Sequence, residues 1–407
     1  MENTSLGYHT FSIFRKLSKE EYKALCKDFA EYVKSNKDFK GYRNNNVQAT
    51  TWEYSYNKNK GIRWRLSCKA EFNNYISRKI EVIINPQALL NNNYITAATE
   101  HDLYSVEPIF DEEADKISPH LLTFKDYSLN RADYCMNVDI KELGYPCTPQ
   151  QVMKLIKQGD IPEFFKERSA YSDTGHRFVA DKNSFYLENS SVTINYYLKY
   201  PQQTDSHPNF ENRDASENVI RLEVQCKRKK LSEIMSTASM PIWQDRTDSA
   251  NGSIPIFPML SDKISEYVVR EYFNKVIRKG HYFTYDGAYD IIKSYRFKRN
   301  KEERLLDAID LVKECDGIAN AKKHITCNKS KDEADIAIRN FNKALRELDD
   351  LLINPVTIPR RWNMTWIPNL MWAYLYTVYD EVILYHTENR AMQHINKYLF
   401  KRDKSKV

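Results

Sequence analysis

Three short runs concentrate the side chains that could do chemistry: RADYCMNVD (131–139), TINYYLKY (193–200) and VIRLEVQCK (219–227). All three read as strands, in which successive side chains point to opposite faces. Ile194, Tyr196 and Leu198 then take one face, and Thr193, Asn195, Tyr197 and Lys199 the other. By the same rule Ala132, Tyr134, Met136 and Val138 are inward, opposite Arg131, Asp133, Asn137 and Asp139; Ile220, Leu222, Val224 and Cys226 are inward, opposite Arg221, Glu223, Gln225 and Lys227. If the strands are neighbours, one polar face gathers a phenol, cations and carboxylates. Such a set suits attack on a phosphodiester. A phenol with an ordinary pKa near 10 needs help to ionise, and a divalent cation on carboxylates provides it while neutralising phosphate oxygens. Hard oxygen ligands from Glu223 and Asp133 favour Mg²⁺ or Mn²⁺. Lys199 or Arg221 would stabilise the phosphorane and the departing oxygen. The competing reading is a solvated sheet face with ordinary cross-strand ion pairs.

The elements that must hold these strands alternate between hairpins and helices. YHTFSIF (8–14) reads as a strand, and Ser18 with Glu21 forms a capping box that opens SKEEYKALCKDFAEYVKS, with Tyr22, Leu25, Phe29 and Val33 on one face. TTWEYSY and GIRWRLSC are strands joined by NKNKG, and RKIEVIINP is a strand stopped by Pro86. Residues 111–127 read as helical, with Pro119 as a break, and a further helix starts at Thr148. SFYLENSSVTINYYLKY forms a hairpin around ENSS. The fold class this predicts is α+β: a twisted, mainly antiparallel sheet with covering helices, spanning 1–240. The Pro-, Gly- and Ser-rich stretch 241–260 reads as a linker, and 261–407 as a helical C-terminal domain, with a winged-helix or helix-turn-helix as one form it could take. Ser330 and Glu333 make a second capping box there, before a helix ended by Asn354-Pro355.

A chain of 407 residues with 42% hydrophobic and 13% aromatic content has the apolar surface for a sizeable core. The net charge of +6 is too mild to imply a nucleic-acid partner by itself. Seven scattered cysteines with no C-x-x-C spacing point to neither a disulfide framework nor a zinc ribbon, and a cytoplasmic location with no membrane partner is expected. No histidine lies two residues from another; His9, His120 and His176 are spare choices for a third metal ligand.

Taken in order, NRADYCMNVD, YLENSSVTINYYLK and NVIRLEVQCKRKKL resemble the replication-initiation-factor proteins of rolling-circle plasmids and the related phage initiators of the gene II type. IEVIINPQALL resembles a further segment of that family, and INPVTIPRRWNMTWIPNL a C-terminal segment of phage and plasmid replication proteins. The resemblance implies a metal-dependent tyrosine endonuclease and strand transferase, which nicks and rejoins one strand at an origin through a 5′-phosphotyrosine. It assigns the nucleophile to Tyr197, the lysine two beyond to Lys199, the R-x-E pair to Arg221 and Glu223, and the R-x-D pair to Arg131 and Asp133. Leu198 departs from the pattern, standing where an acid is usual, and Glu188-Asn189 replace small residues. Origin DNA, single-stranded or hairpin, is the expected partner, with a host helicase and a second copy of the chain as further ones. The alternatives are a non-catalytic DNA-binding replication or partition protein, or a helicase-recruiting module.

Cationic runs suit phosphate contact and base stacking. They comprise Lys227, Arg228, Lys229 and Lys230, then Arg296, Lys298 and Arg299 interleaved with aromatics, and Arg360 and Arg361, with Arg131 in the sheet.

Overall fold

The computed structural model describes the chain apart from residues 1–2, 47–48, 58–59, 71–75, 93–94, 168–181, 207–212, 238–251, 379–389 and 404–407. Ten strands form one antiparallel sheet: β1 (Ser5–Lys16), β2 (Phe39–Asn46), β3 (Ala49–Tyr56), β4 (Ile62–Ala70), β5 (Ile76–Ile84), β6 (Ser128–Asp139), β7 (Lys166–Glu167), β8 (Ser184–Glu188), β9 (Val192–Leu198) and β10 (Val219–Lys227). Their order is β2-β3-β4-β5-β1-β6-β10-β9-β8-β7, so β6, β10 and β9, which carry the three chemical runs, are neighbours. The α+β expectation is met.

One face of the sheet is covered by α1 (Lys19–Ser35), α3 (Glu100–Ile117), α4 (Pro149–Lys157) and α8 (Asp262–Val276). The capping box of Ser18 and Glu21 forms as the sequence predicts and starts α1, whose Phe29 meets Tyr54 at 4.5 Å and Trp64 at 6.0 Å between ring centroids. Phe110 of α3 reaches Trp64 from the other side at 5.3 Å. Each such fully buried ring contributes about 1.5–3 kcal/mol of transfer free energy, which is what fixes the helices on the alternating apolar positions. The short α2 (Pro86–Leu89) follows Pro86, capped by the Asn85 side chain.

Several elements differ from expectation. The helix expected over 111–127 runs instead over Glu100–Ile117 and ends at Ser118, whose extended backbone is what a following proline imposes. Strand β2, FKGYRNNN, is rich in Gly and Asn and has low strand propensity; pairing with β3 at the sheet edge holds it. The hairpin arm ends at Leu198, and Lys199 opens α5 (Lys199–Ser206) rather than continuing the strand. Of the expected linker, residues 241–251 lie outside the described residues, while 252–260 pack onto the sheet. Leu129 N donates to Ile254 O at 2.9 Å, and the Tyr134 hydroxyl to Met259 O at 2.7 Å, next to α7 (Ile256–Met259).

After α6 (Arg228–Ser236) and α8, the rest is helical: α9 (Tyr285–Ser294), α10 (Arg299–Glu314), α11 (Ile318–Thr326), α12 (Lys331–Asp350), α13 (Leu370–Val378) and α14 (Arg390–Asp403), with a two-stranded piece, β11 (Tyr282–Phe283) and β12 (Trp366–Ile367). Helices α10, α11 and α12 pack mutually, with Arg304 bidentate on Glu347. A buried ionic network joins this region to the segment after α4. Lys322 and Arg278 both approach Asp160, and Arg278 also holds Asp349 at 2.5 Å. Among the described residues no helix is long and apolar enough to cross a membrane.

Candidate active site

Register settles which side chains meet. Tyr197 lies opposite Arg221 across β9 and β10, Glu223 opposite Cys135 across β10 and β6, and Gln225 opposite Asp133. Tyr196 is fully buried on the helix-covered face, as alternation predicts, and Tyr197 points to the other. The Tyr197 hydroxyl donates to Glu223 Oε2 at 3.4 Å. Lys199, although helical, stays with the cluster; its Nζ lies 6.0 Å from the centre of the Tyr197 ring. Arg131 Nη2 donates to Asp133 Oδ2 at 3.1 Å. Tyr197, Lys199, Arg221, Glu223, Asp133 and Arg131 therefore form one group.

This face is far less solvated than alternation alone implies. Arg221 is 0% exposed and Lys199 2%. Residues 95–98 fold across the end of the sheet: Ile95 O accepts from Arg221 Nη2 at 2.9 Å and from Asn137 Nδ2 at 2.7 Å, and Ala98 pairs with Tyr8. Gly7 permits this, because a Cβ there would come within 1.9 Å of Ala98 O. Arg221 Nε also donates to Asn137 Oδ1 at 2.7 Å. The opening to solvent lies at Arg131, His9 and Glu223, whose side chains keep 27%, 23% and 12% exposure.

His9, one of the spare ligand choices, joins the cluster. Strand β1 carries a bulge between Tyr8 and Thr10, which lets His9 share the polar face with Thr10, and its Nδ1 stands 3.5 Å from the Glu223 oxygen that accepts from Tyr197. His120 is near Arg15 instead, where its carbonyl accepts from the guanidinium, and His176 lies outside the described residues.

Burial sets the electrostatics. It pushes the Tyr197 phenol up, against the pull of Arg221. Burial and then the Arg221 charge hold Lys199 well below an ordinary lysine, and the same two causes lower His9 to about 4. Asp133 is raised by burial, and by the charge of Glu223, against the pull of Arg131. Glu223 is lowered: burial would raise it, but His9, Arg221 and Lys199 outweigh that. Asp133 therefore keeps its proton to higher pH than Glu223 does. Three buried atoms in the cluster, Arg131 Nε, Asp133 Oδ1 and Arg221 Nη1, have no hydrogen-bond partner among the described residues. Such orphans in a buried polar group mark where a ligand completes the set.

No family model matches this chain, and no curated protein matches it. What the cluster can do follows from its own chemistry.

A divalent cation is tested by those donors. Among the described residues no three His, Cys, Asp or Glu groups stand ready to enclose a metal. Mg²⁺, however, is commonly held by only one or two carboxylates, with substrate phosphates and water completing its shell. The orphaned Asp133 Oδ1 and the ionised Glu223 fit that partial site.

The expected DNA contacts divide. Lys227 and Lys229 are exposed, but the run becomes helical at Arg228, and 3.6-residue periodicity turns the other two cations inward. Arg228 donates to Leu129 O and lies 4.6 Å from the Phe14 ring centre, and Lys230 pairs with Glu233 at 3.1 Å. Both are correspondingly structural. Arg296 and Lys298 are exposed, as is Arg299, which pairs with Glu303. Arg361 is exposed, and Arg360 is bidentate on Asp286.

Proposed function

We propose that this chain is a tyrosine DNA strand-nicking and rejoining enzyme of rolling-circle replication initiation. The observation that carries the reading is the placement of the Tyr197 hydroxyl against an ionised Glu223, beside a buried Arg221 with an uncommitted nitrogen. Glu223 takes the phenolic proton as Tyr197 Oη attacks phosphorus. The new P–O bond joins the strand's 5′ phosphate to Tyr197 while the P–O3′ bond breaks, and Lys199 in its ammonium form protonates the departing 3′ oxygen. Arg221 Nη1 is aimed at charge on the phosphorane. Rejoining is the reverse, and the phosphotyrosine keeps the energy it needs. Bound between Glu223, Asp133 and substrate phosphate, Mg²⁺ or Mn²⁺ would supply charge neutralisation and favour phenolate formation. A single-stranded origin, a cytoplasmic setting, and helicase and self-association as partners belong to this same reading.

The test is capture of DNA. Wild-type protein with Mg²⁺ or Mn²⁺ and the single-stranded DNA of the replicon that encodes it should give a denaturation-resistant adduct, which Tyr197→Phe abolishes while DNA affinity changes less than about threefold. An adduct that survives Tyr197→Phe, or a variant that cuts normally, rejects the assignment.

A further inference from the structure

On the same face as Tyr197, toward the opposite edge of the sheet, lies a cavity of about 280 Å³. Its lining includes Thr10, Ser55, Asn57, Lys60, Arg63 and Asn85, and no carboxylate. The registers place it on the polar surface. Thr10 neighbours Asp133 across β1 and β6, Ser12 neighbours Ile83, Ile83 neighbours Arg63, and Arg63 neighbours Ser55. Gly61, also in the lining, has φ +77°, and a Cβ on it would come within 2.3 Å of Leu89 N, so the backbone entering β4 sits directly on α2. Lys60 lines the cavity with its Nζ over the Tyr56 ring, 4.1 Å from its centre, and its charge also reaches Glu113, to which the Tyr56 hydroxyl donates. Around it on this face Arg63 and Arg65 share Glu53 at 2.9 and 2.8 Å, and Lys79 pairs with Glu81, opposite Arg65, at 3.6 Å, so three cations meet two carboxylates. Hydroxyls, amides and cations converging on a concave, acid-free space are the chemistry of a phosphate site.

We propose that this cavity is a phosphate subsite for the DNA strand on one side of the cut; the assignment rests on the strand-nicking reading above. Arg63 on β4 is five strands from Tyr197 on β9, about 24 Å at the usual interstrand spacing. A strand laid across the face spans that interval with on the order of four nucleotides, the low end of single-strand site sizes.

The experiment uses the whole chain, the Lys60→Glu variant and the Lys60→Gln/Arg63→Gln double variant, with thermal unfolding as the check on folding. One arm measures binding to dT20 across a salt series. Each variant should bind roughly tenfold more weakly with a shallower salt dependence, the slope falling by about 0.7 for every phosphate the variant no longer neutralises. An unchanged affinity and slope overturns the subsite. The other arm maps the cut by sequencing the DNA joined to Tyr197, then trims the oligonucleotide stepwise from each end. The variants' deficit in adduct yield should vanish once one flank falls below about four nucleotides. A deficit independent of length also overturns the subsite. If wild-type protein captures no DNA, the nicking reading fails, and the dT20 arm still decides whether the cavity holds phosphate.

Discussion

His9 offers the sharpest test of how the site works, because its proposed task depends on one nitrogen. Its Nδ1 lies 3.5 Å from Glu223 Oε2, and burial together with Arg221 lowers it to about 4, so near neutral pH it is an uncharged donor that orients the base. A hydrogen bond to a charged group is worth about 1.5–3 kcal/mol, and this long contact belongs at the bottom of that range. Removing it should slow adduct formation roughly tenfold. His9→Gln, which moves the amide beyond the Nδ1 position, should show the full loss; His9→Asn, whose amide nitrogen falls near Nδ1, should recover most of it. Rates are read as single-turnover adduct formation, with melting temperatures confirming that both variants fold. Over about pH 6–8 the wild-type rate should show no inflection due to His9, since its ordinary value near 6.5 has been left behind. The stability sign is also fixed. The unfolded chain takes up the His9 proton first, so stability declines as pH falls from about 6.5 toward 4, and His9→Asn should remove that part of the decline. Equal rates for wild type and His9→Gln would refute the orienting role, as would a neutral-pH inflection that His9→Asn abolishes.

Two further outcomes follow from the packing. The Tyr196 hydroxyl is buried with no hydrogen-bond partner among the described residues, so Tyr196→Phe should leave adduct formation within about twofold and leave stability unchanged or slightly raised in urea unfolding. Arg278→Met removes the side-chain partner of Asp349, while Asp160 keeps Lys322, and should cost about 3–5 kcal/mol in the same measurement, with Arg278→Met/Asp349→Leu recovering part of it.

What could be read from the residues was whatever depends on period and cap. Alternation separated Tyr197 from Tyr196 and put Asp133, Arg221 and Glu223 on one face, since a strand has no other way to place them. Ser18 with Glu21 and Ser330 with Glu333 mark helix starts because their bonds are local. The failures share the opposite cause. The bulge at His9 breaks the period of two at one residue, so that Thr10 shares its face, without a compositional sign. Arg221 is covered by residues 95–98, a contact across more than a hundred positions of chain. Arg228 and Lys230 were assigned to DNA as part of a charged run, but the change from strand to helix at that point turned them inward.

The covering of Arg221 bears directly on catalysis. A guanidinium on an open sheet face would exchange its field for water's, whereas a buried one acts in a medium where the same charge is several times more effective. Burying it requires compensation, which Asn137, the Ile95 carbonyl and the ionised Glu223 provide. The compensation stops short of neutrality. Arg131 and Arg221 face Glu223, whose carboxyl is held low, and Asp133, which burial makes the more reluctant of the two to ionise. A pocket left positive in this way favours a phosphodiester over water at its mouth, and the fixed donors need no rearrangement as charge builds on the phosphorane. Cations continue along the face through Arg63 and Lys60, so in the proposed reaction the field that would stabilise the reacting phosphate would also guide the strand that carries it.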